Sequence, residues 1–372
     1  MVEYVSQDGR HRHPIDVPLW RCPATGQPVN LTPGDGLDPG DIDTAERSVW
    51  RYATALRVPA AARVSLGEGL TPLVPTAYGG GWPRIKCEYL APSGSFKDRG
   101  MAVLVSYLKS HGVTEVMLDS SGNAAASLAC YAAAAGMTAR LMVPGYTSPA
   151  KVAQIRVYGA EVELVPGTRQ DCATAALRLA EAGLFYASHN WQPFFVEGTR
   201  TLAFEIWEQY SFAVPDNIVI PAGYGSNLMG CHLGFGELLK RGAIARMPRL
   251  FAAQPAHAAA LHAAFQANSD IPVPIDAKPT VAEGIATTKP VRVKENMAAL
   301  RGSGGGTVAV PEDAILPAMH ALARQGFFVE PSSAVAGAGY EMLLADGTIS
   351  ADQETVIVLT GNGLKSTDAL MG

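Results

Sequence analysis

The sequence predicts an α/β protein of two domains, each built on a parallel sheet flanked by helices. Three observations carry that prediction. Apolar runs of strand length alternate with helix-length segments from residue 84 to residue 360. Such alternation needs crossover connections and places helices on both faces of a parallel sheet. Loops rich in Gly, Ser and Asn stand where several of these strands give way to helices, the position at which such sheets bind ligands. Finally, the 372 residues are 48% hydrophobic and 17% charged, enough for two lobes and too apolar for a disordered chain.

In chain order, residues 1–60 predict an irregular extension. Pro and Gly are frequent between Pro14 and Gly40, and a short helix is expected over 44–56. Residues 84–90 predict a strand, and a helix opens near Lys97. A strand over 115–119 leads to a helix over 123–135, with Gly136 suited to the position just past its end. A strand over 138–143 precedes a helix starting near 148–149, and a strand over 161–165 precedes a helix over 170–182. Later strands are expected at 217–221, 250–254 and 355–360, with helices at 226–240, 312–325 and 333–344. No internal repeat is visible.

Composition narrows the function. Lys and Arg number 29 against 34 Asp and Glu, a net charge of −5, with no large basic block, so nucleic acid is not an expected partner. Residues 1–12 are polar and lack the apolar core of a secretory signal. The longest near-apolar stretch, 124–137, is Ala-rich, contains Ser127, and is too short to span a bilayer, so no membrane partner is expected. Cys22, Cys87, Cys130, Cys172 and Cys231 are odd in number and widely spaced, which implies no disulfide framework. The expected location is the cytoplasm. Arg21-Cys22-Pro23-Ala24-Thr25-Gly26 has the outline of a zinc knuckle, but Thr25 stands where the second thiolate belongs and no partner pair follows. A closed site needs four ligands, so the expectation is a turn without metal.

Four segments carry chemistry. Lys97 lies in Ala91-Pro92-Ser93-Gly94-Ser95-Phe96-Lys97-Asp98-Arg99-Gly100. Small neighbours let a flat ring approach the backbone, and a lysine near another cation deprotonates when buried, which suits an amine that condenses with an aldehyde. The other reading is a solvated lysine at a helix start. Ser120-Ser121-Gly122-Asn123 follows the strand over 115–119; it is either a plain helix cap or a receptor for a carboxylate, built of hydroxyls, an amide and free N–H groups. Pro221-Ala222-Gly223-Tyr224-Gly225-Ser226-Asn227 follows the next strand. Its glycines and helix start suit a single phosphate, since the Lys-Ser/Thr of a P-loop and the third Gly of a dinucleotide fingerprint are missing; the alternative is a structural turn. Leu359-Thr360-Gly361-Asn362-Gly363-Leu364-Lys365-Ser366 presents a hydroxyl at a strand end, or else merely closes the last strand with a glycine turn. An amine, a carboxylate receptor, a phosphate cradle and a hydroxyl are what a phosphorylated pyridine aldehyde uses.

These motifs resemble the fold-type II pyridoxal phosphate enzymes, whose fold is like that of the tryptophan synthase β chain. Within that family the chain is most similar to the threonine synthases. Three further stretches support the likeness: Ser65-Leu66-Gly67-Glu68-Gly69-Leu70-Thr71-Pro72-Leu73, Glu197-Gly198-Thr199-Arg200-Thr201-Leu202-Ala203-Phe204-Glu205 and Phe328-Val329-Glu330-Pro331-Ser332-Ser333-Ala334. The resemblance covers about residues 45 to 368.

It implies the cofactor pyridoxal 5′-phosphate, a small amino-acid substrate and a homodimer. It implies Lys97 as the Schiff-base lysine and proton shuttle, Asn123 at the cofactor's 3-hydroxyl, and Ser120, Ser121, Gly122 and Asn123 around the substrate. Gly223, Tyr224, Gly225, Ser226 and Asn227 would bind the cofactor phosphate, and Thr360 the pyridine nitrogen. A neutral hydroxyl there leaves the nitrogen unprotonated, which suits elimination and replacement better than transamination. The implied domains are an extension over 1–60 packing on a large cofactor-binding domain of 61–95 and 191–372, and a smaller mobile domain of 96–190.

The chain also departs from the threonine synthase pattern. His189 and Asn190 stand where the family carries an Asn-Ser pair, and Phe195 stands at the position of an arginine that grips the substrate phosphate. Ala124 replaces a threonine, and Thr287-Thr288-Lys289-Pro290 replaces a typical segment. Losing a bidentate phosphate ligand for a phenyl ring is not neutral; Lys289 and Arg292 are the cations available to compensate. His189 reads either as a general acid or base beside the leaving group or as a packed strand-end histidine. Two activities follow. One is the threonine synthase reaction on O-phosphohomoserine. The other is β-elimination or β-replacement of a non-phosphate group, as in serine/threonine dehydratases or diaminopropionate ammonia-lyases. A catalytically silent cofactor-binding protein is disfavoured by intact Lys97, Asn123 and Thr360.

Overall fold

The computed structural model describes residues 2–147, 149–167 and 169–367. In chain order the strands are β1 (Glu3–Ser6), β2 (Arg12–Pro14), β3 (Val29–Leu31), β4 (Leu73–Pro75), β5 (Arg84–Cys87), β6 (Glu115–Leu118), β7 (Thr138–Pro144), β8 (Glu161–Val165), β9 (Phe185–Tyr186), β10 (Asn217–Pro221), β11 (Arg249–Pro255), β12 (Gly306–Val310) and β13 (Thr355–Leu359). The α-helices are α1 (Lys97–Ser110), α2 (Asn123–Ala135), α3 (Pro149–Val157), α4 (Arg169–Glu181), α5 (Pro193–Thr199), α6 (Thr201–Gln209), α7 (Ser226–Arg241), α8 (Ala260–Gln266), α9 (Val293–Gly302), α10 (Glu312–Arg324) and α11 (Pro331–Ala345). The chain divides into two compact units.

The first unit comprises Met1–Pro33, Asp43–Glu68 and Lys97–Gly198. Its main sheet is fully parallel, in the order β8-β7-β6-β9. α1 and α2 fill its core: Met101, Ala102, Val103, Leu104 and Val105 of α1 are buried, as are Ala124, Ala125, Leu128 and Ala129 of α2. The alanine-rich face of α2 lets the two helices approach closely.

The N-terminal stretch differs from expectation in two ways. Within its otherwise largely irregular course, three short strands form an antiparallel sheet, β2-β1-β3. Most of it, Met1–Pro33 and the part from Asp43 onward, also belongs to the unit that carries α1, and only Gly34–Ile42 to the larger one. The reason lies in its aromatic residues. The Tyr4 and Tyr107 hydroxyls are 2.6 Å apart, Tyr107 donates to the Ile15 carbonyl at 2.7 Å, and Tyr107 stacks on Phe194 at 3.5 Å. The helix expected over 44–56 shrinks to a single 3₁₀ turn, Val49–Tyr52, capped by Ser48. Its backbone is committed elsewhere: Val49 N–H bonds Glu68 O, and Arg51 O accepts from Asp43 N–H.

The second unit comprises Gly34–Ile42, Gly69–Phe96 and Thr199–Gly372. Its sheet runs β12-β11-β10-β13-β5-β4, parallel throughout except for β4 at the edge. β10 and β13 are central and buried along their whole lengths, which is why they read as continuous apolar runs. The strand expected over 84–90 stops at Cys87, where a 3₁₀ turn begins.

At this edge the fully buried Lys86 of β5 bonds Glu205 of α6, the Thr71 carbonyl at 2.7 Å and Gln209 Oε1 at 2.8 Å. Glu205 in turn accepts Leu70 N–H at 2.8 Å and Thr71 N–H at 2.9 Å. This network holds the chain as it enters β4.

All five cysteines are buried and none is in a disulfide. Cys22 opens a turn in which Gly26 N–H bonds Cys22 O, and its sulfur lies 3.6 Å from His13 Nε2. Among the described residues, no helix is long and apolar enough to cross a membrane, and no cluster of three or more His, Cys, Asp or Glu side chains is placed to hold a metal.

Candidate active site

In the first unit, α1 begins at Lys97 itself. Asp98, fully buried in the first turn, accepts the Ser127 hydroxyl of α2 at 2.6 Å, and an acid there also suits the positive end of the helix. The helix start is thus held rigidly, and Lys97 remains partly exposed. Its Nζ lies 5.8 Å from the centroid of the Phe195 ring. Phe195 is fully buried and packs where α1 has Gly100; a Cβ at Gly100 would overlap that ring. The His189 ring meets Phe195 edge-on at 5.7 Å. Lys97, Phe195 and His189 are therefore neighbours although nearly a hundred residues separate them.

The Ser120–Asn123 segment follows β6. Ser120 Oγ accepts Gly122 N–H at 3.3 Å. Gly122 is the cap residue of α2, in an extended conformation, and no side chain caps the helix. A helix start capped by glycine presents its first-turn backbone toward the end of β6. Ser120, Ser121 and Asn123 are partly exposed and Gly122 exposed, whereas Asn190 is buried. Behind the segment, buried Asp119 accepts the Tyr186 hydroxyl at 2.5 Å, a pairing that no sequence pattern announced.

In the second unit, the loop after β10 leads into the sixteen-residue α7. Gly225 sits just before the helix with φ +79°, a left-handed conformation, and a Cβ there would collide with the Asn296 side chain. Both constraints select glycine. The start of α7 has no side-chain cap. Asn227, in its first turn, is buried, and neither its amide oxygen nor its nitrogen has a hydrogen-bond partner among the described residues. Buried polar groups are seldom left so. An uncapped helix start with an orphaned amide fits a phosphate, which accepts N–H bonds and neutralises the positive helix end. Asn296 of α9, absent from the sequence reading, braces the loop by donating to Tyr224 O at 3.0 Å and Arg292 O at 2.8 Å.

Thr360 directly follows β13 and is buried. Its hydroxyl lies 3.1 Å from that of Ser333, and Ser333 Oγ accepts Thr360 N–H at 3.0 Å and Gly361 N–H at 2.7 Å. Ser333 appeared in the sequence as part of the Phe328–Ala334 stretch and as the start of the helix expected over 333–344; nothing marked its hydroxyl as the organiser of the Thr360 turn. Of the two compensating cations, Lys289 is exposed. Arg292 is buried and pairs with Glu295 at 3.4 Å, and burial pulls its pKa below the usual arginine range.

Residues 64–361 match the family model described as pyridoxal-phosphate dependent enzyme. The threonine synthase of Methanocaldococcus jannaschii is 37% identical over 332 residues, 87% of this chain and 82% of that protein. The threonine synthase of Methanosarcina acetivorans is 34% identical over 336 residues, 88% of this chain and 83% of that protein. Among solved structures, the processed threonine deaminase isoform 2 of Solanum lycopersicum superposes with a TM-score of 0.72 over 96% of this chain and 100% of its own, at 22% identity, a likeness of fold.

Proposed function

The chain belongs to the pyridoxal-phosphate dependent enzyme family, and from that premise we propose that it catalyses elimination and replacement on a small amino acid in the manner of threonine synthase, converting O-phosphohomoserine and water to threonine and phosphate. Thr360 is the observation that carries the reaction class. Its hydroxyl is neutral and buried, the family resemblance sets it against the ring nitrogen, and a ring left unprotonated suits elimination and replacement.

The chain's own residues then divide the work. Lys97 would hold the cofactor covalently and move protons at the substrate carbons from its ε-amine. Asn123 would meet the 3-hydroxyl, and Ser120, Ser121 and Gly122, with the uncapped start of α2, would hold the substrate carboxylate. Gly223, Tyr224, Gly225, Ser226 and Asn227 would bind the phosphate through backbone N–H groups and the Asn227 amide. His189 and Asn190 would flank the departing group. The cofactor supplies the electron sink for carbanions formed on the substrate.

Phe195 favours a second reading. Its buried ring beside Lys97 and His189 cannot neutralise a phosphate dianion, and an unpaired charge in a dry site costs several kcal/mol. Lys289 is exposed and Arg292 already pairs with Glu295. On this reading the enzyme is a β-eliminating or β-replacing lyase acting on a hydroxy- or amino-substituted amino acid. Five buried cysteines held as thiols, outside any disulfide, support a reducing, cytoplasmic setting. The assembly is proposed as a homodimer, the state carried by the family resemblance, and light scattering decides it.

Two measurements test the proposal. Borohydride reduction of the holoenzyme followed by peptide mapping should place the cofactor on Lys97; label elsewhere sinks the assignment. Release of phosphate, ammonia and 2-oxoacid from O-phosphohomoserine, serine, threonine and diaminopropionate then identifies the leaving group. A specificity constant on O-phosphohomoserine of about 10⁴ M⁻¹s⁻¹ or more selects the threonine synthase reaction; a far lower one, with turnover of an uncharged leaving group, selects the second reading.

A further inference from the structure

We propose that Ser333 is a positioning residue that fixes where the Thr360 hydroxyl proton points, so that Thr360 presents an O–H donor, never a lone pair, to a heteroaromatic ring nitrogen. The inference rests on the cofactor reading above and follows from counting hydrogen bonds. A serine oxygen has two lone pairs and one proton. Ser333 Oγ accepts Thr360 N–H at 3.0 Å and Gly361 N–H at 2.7 Å, which uses both lone pairs. It has no capacity left to accept from the Thr360 hydroxyl 3.1 Å away.

The contact between the two hydroxyls therefore runs one way only. Ser333 gives its proton either to Thr360 Oγ1 or to the Gly361 carbonyl at 3.2 Å, and in both cases Thr360 keeps its own proton for another acceptor. Thr360 is buried and its hydroxyl makes no other hydrogen bond among the described residues. A proton so placed needs an acceptor, and a pyridine nitrogen qualifies only while unprotonated. Accepting from a protonated ring instead would strand that buried hydroxyl proton without an acceptor. Ser333, fully buried on the second residue past Pro331 in α11, thus governs the protonation state of a ring it need not touch.

Nitrogen-15 NMR of the holoenzyme, reconstituted with ring-¹⁵N-labelled pyridoxal phosphate, tests this between pH 5.5 and 8.5. The wild type should show a hydrogen-bonded neutral pyridine nitrogen that does not titrate. In Ser333→Ala, Thr360 is free to turn. The resonance should move downfield toward an unbonded nitrogen near neutral pH and titrate to pyridinium as pH falls. Ser333→Thr, which keeps the hydroxyl, should restore the wild-type behaviour. Should Ser333→Ala not retain cofactor, Ser333→Cys, a weaker donor of similar size, is read in the same way. A pyridinium resonance in the wild type overturns the proposal, as does an unchanged, non-titrating resonance in the variant. Those outcomes leave the cofactor reading standing; failure of the wild type to take up pyridoxal phosphate overturns both.

Discussion

Phe195 and Gly100 show how a single side chain constrains a distant position. A methyl group at Gly100 has nowhere to go but into the Phe195 ring. Gly100→Ala should therefore destabilise the protein by about 1–3 kcal/mol, as overpacking does. Combining it with Phe195→Leu should be clearly less than additive, because the two residues share one space; strict additivity in urea melts would show that the contact is not the cause. Glu68 gives a second prediction. Its carboxylate is buried and its pKa is pushed up to about 6, chiefly by desolvation, against bonds from Leu66 N–H, the Tyr131 hydroxyl and Ser65. A pKa raised above the ordinary glutamate value of 4.5 means that the folded state holds the proton more tightly. The contribution of Glu68 is thus complete below about pH 4.5 and is lost as pH rises through about 6, a change of about 2 kcal/mol. Glu68→Gln should flatten that part of the stability profile; parallel profiles for wild type and variant between pH 4.5 and 7 would refute it. Lys97 and Thr360 draw attention in the sequence because each sits in a short motif rich in small residues. Ser333, Asn296 and Asp119 do not, because each bonds a partner far away in the chain, Thr360, Tyr224 and Tyr186 respectively.

At the level of elements, legibility followed burial. β10 and β13 are covered on both faces, so their apolar runs stood out with nearly correct bounds. β1, β2 and β3 are three or four residues long and carry polar or exposed positions, and nothing in their composition separates them from loop. β12 was missed because Gly304, Gly305 and Gly306 run into it, a signature that reads as turn. The join of β5 to α6 carries the next prediction. Lys86 and Glu205 are both fully buried and bonded to each other and to the Leu70–Thr71 backbone. Lys86→Met strands a carboxylate in the core and should cost about 3–5 kcal/mol, whereas Lys86→Met with Glu205→Leu should recover much of the loss, since a buried pair is replaceable by apolar packing more cheaply than it is broken. Equal losses in the single and double variants, measured by denaturant unfolding, would show that Glu205 matters for holding β4 and not as a counter-charge.

For the whole molecule, composition and alternation foretold an α/β chain in two parts, but not which part the N-terminal residues join. That choice is made by Tyr4 meeting Tyr107, a contact between residues a hundred positions apart with no local trace. The two units also hold different cysteines: Cys22, Cys130 and Cys172 lie in the first, Cys87 and Cys231 in the second, and all are buried. Natural thiols thus act as a pair of built-in clocks. A thiol reagent reaches a buried sulfur only when its surroundings open, so the labelling rate at each cysteine reports the local opening free energy. Under native conditions the five should react far more slowly than a free thiol. Mass spectrometry of reagent-treated protein, with and without pyridoxal phosphate, would then time the breathing of each unit separately, without introducing a single probe. Uniform rates at all five positions would mean that the chain opens as one body; two groups of rates, divided as the cysteines are, would mean that each unit keeps its own time.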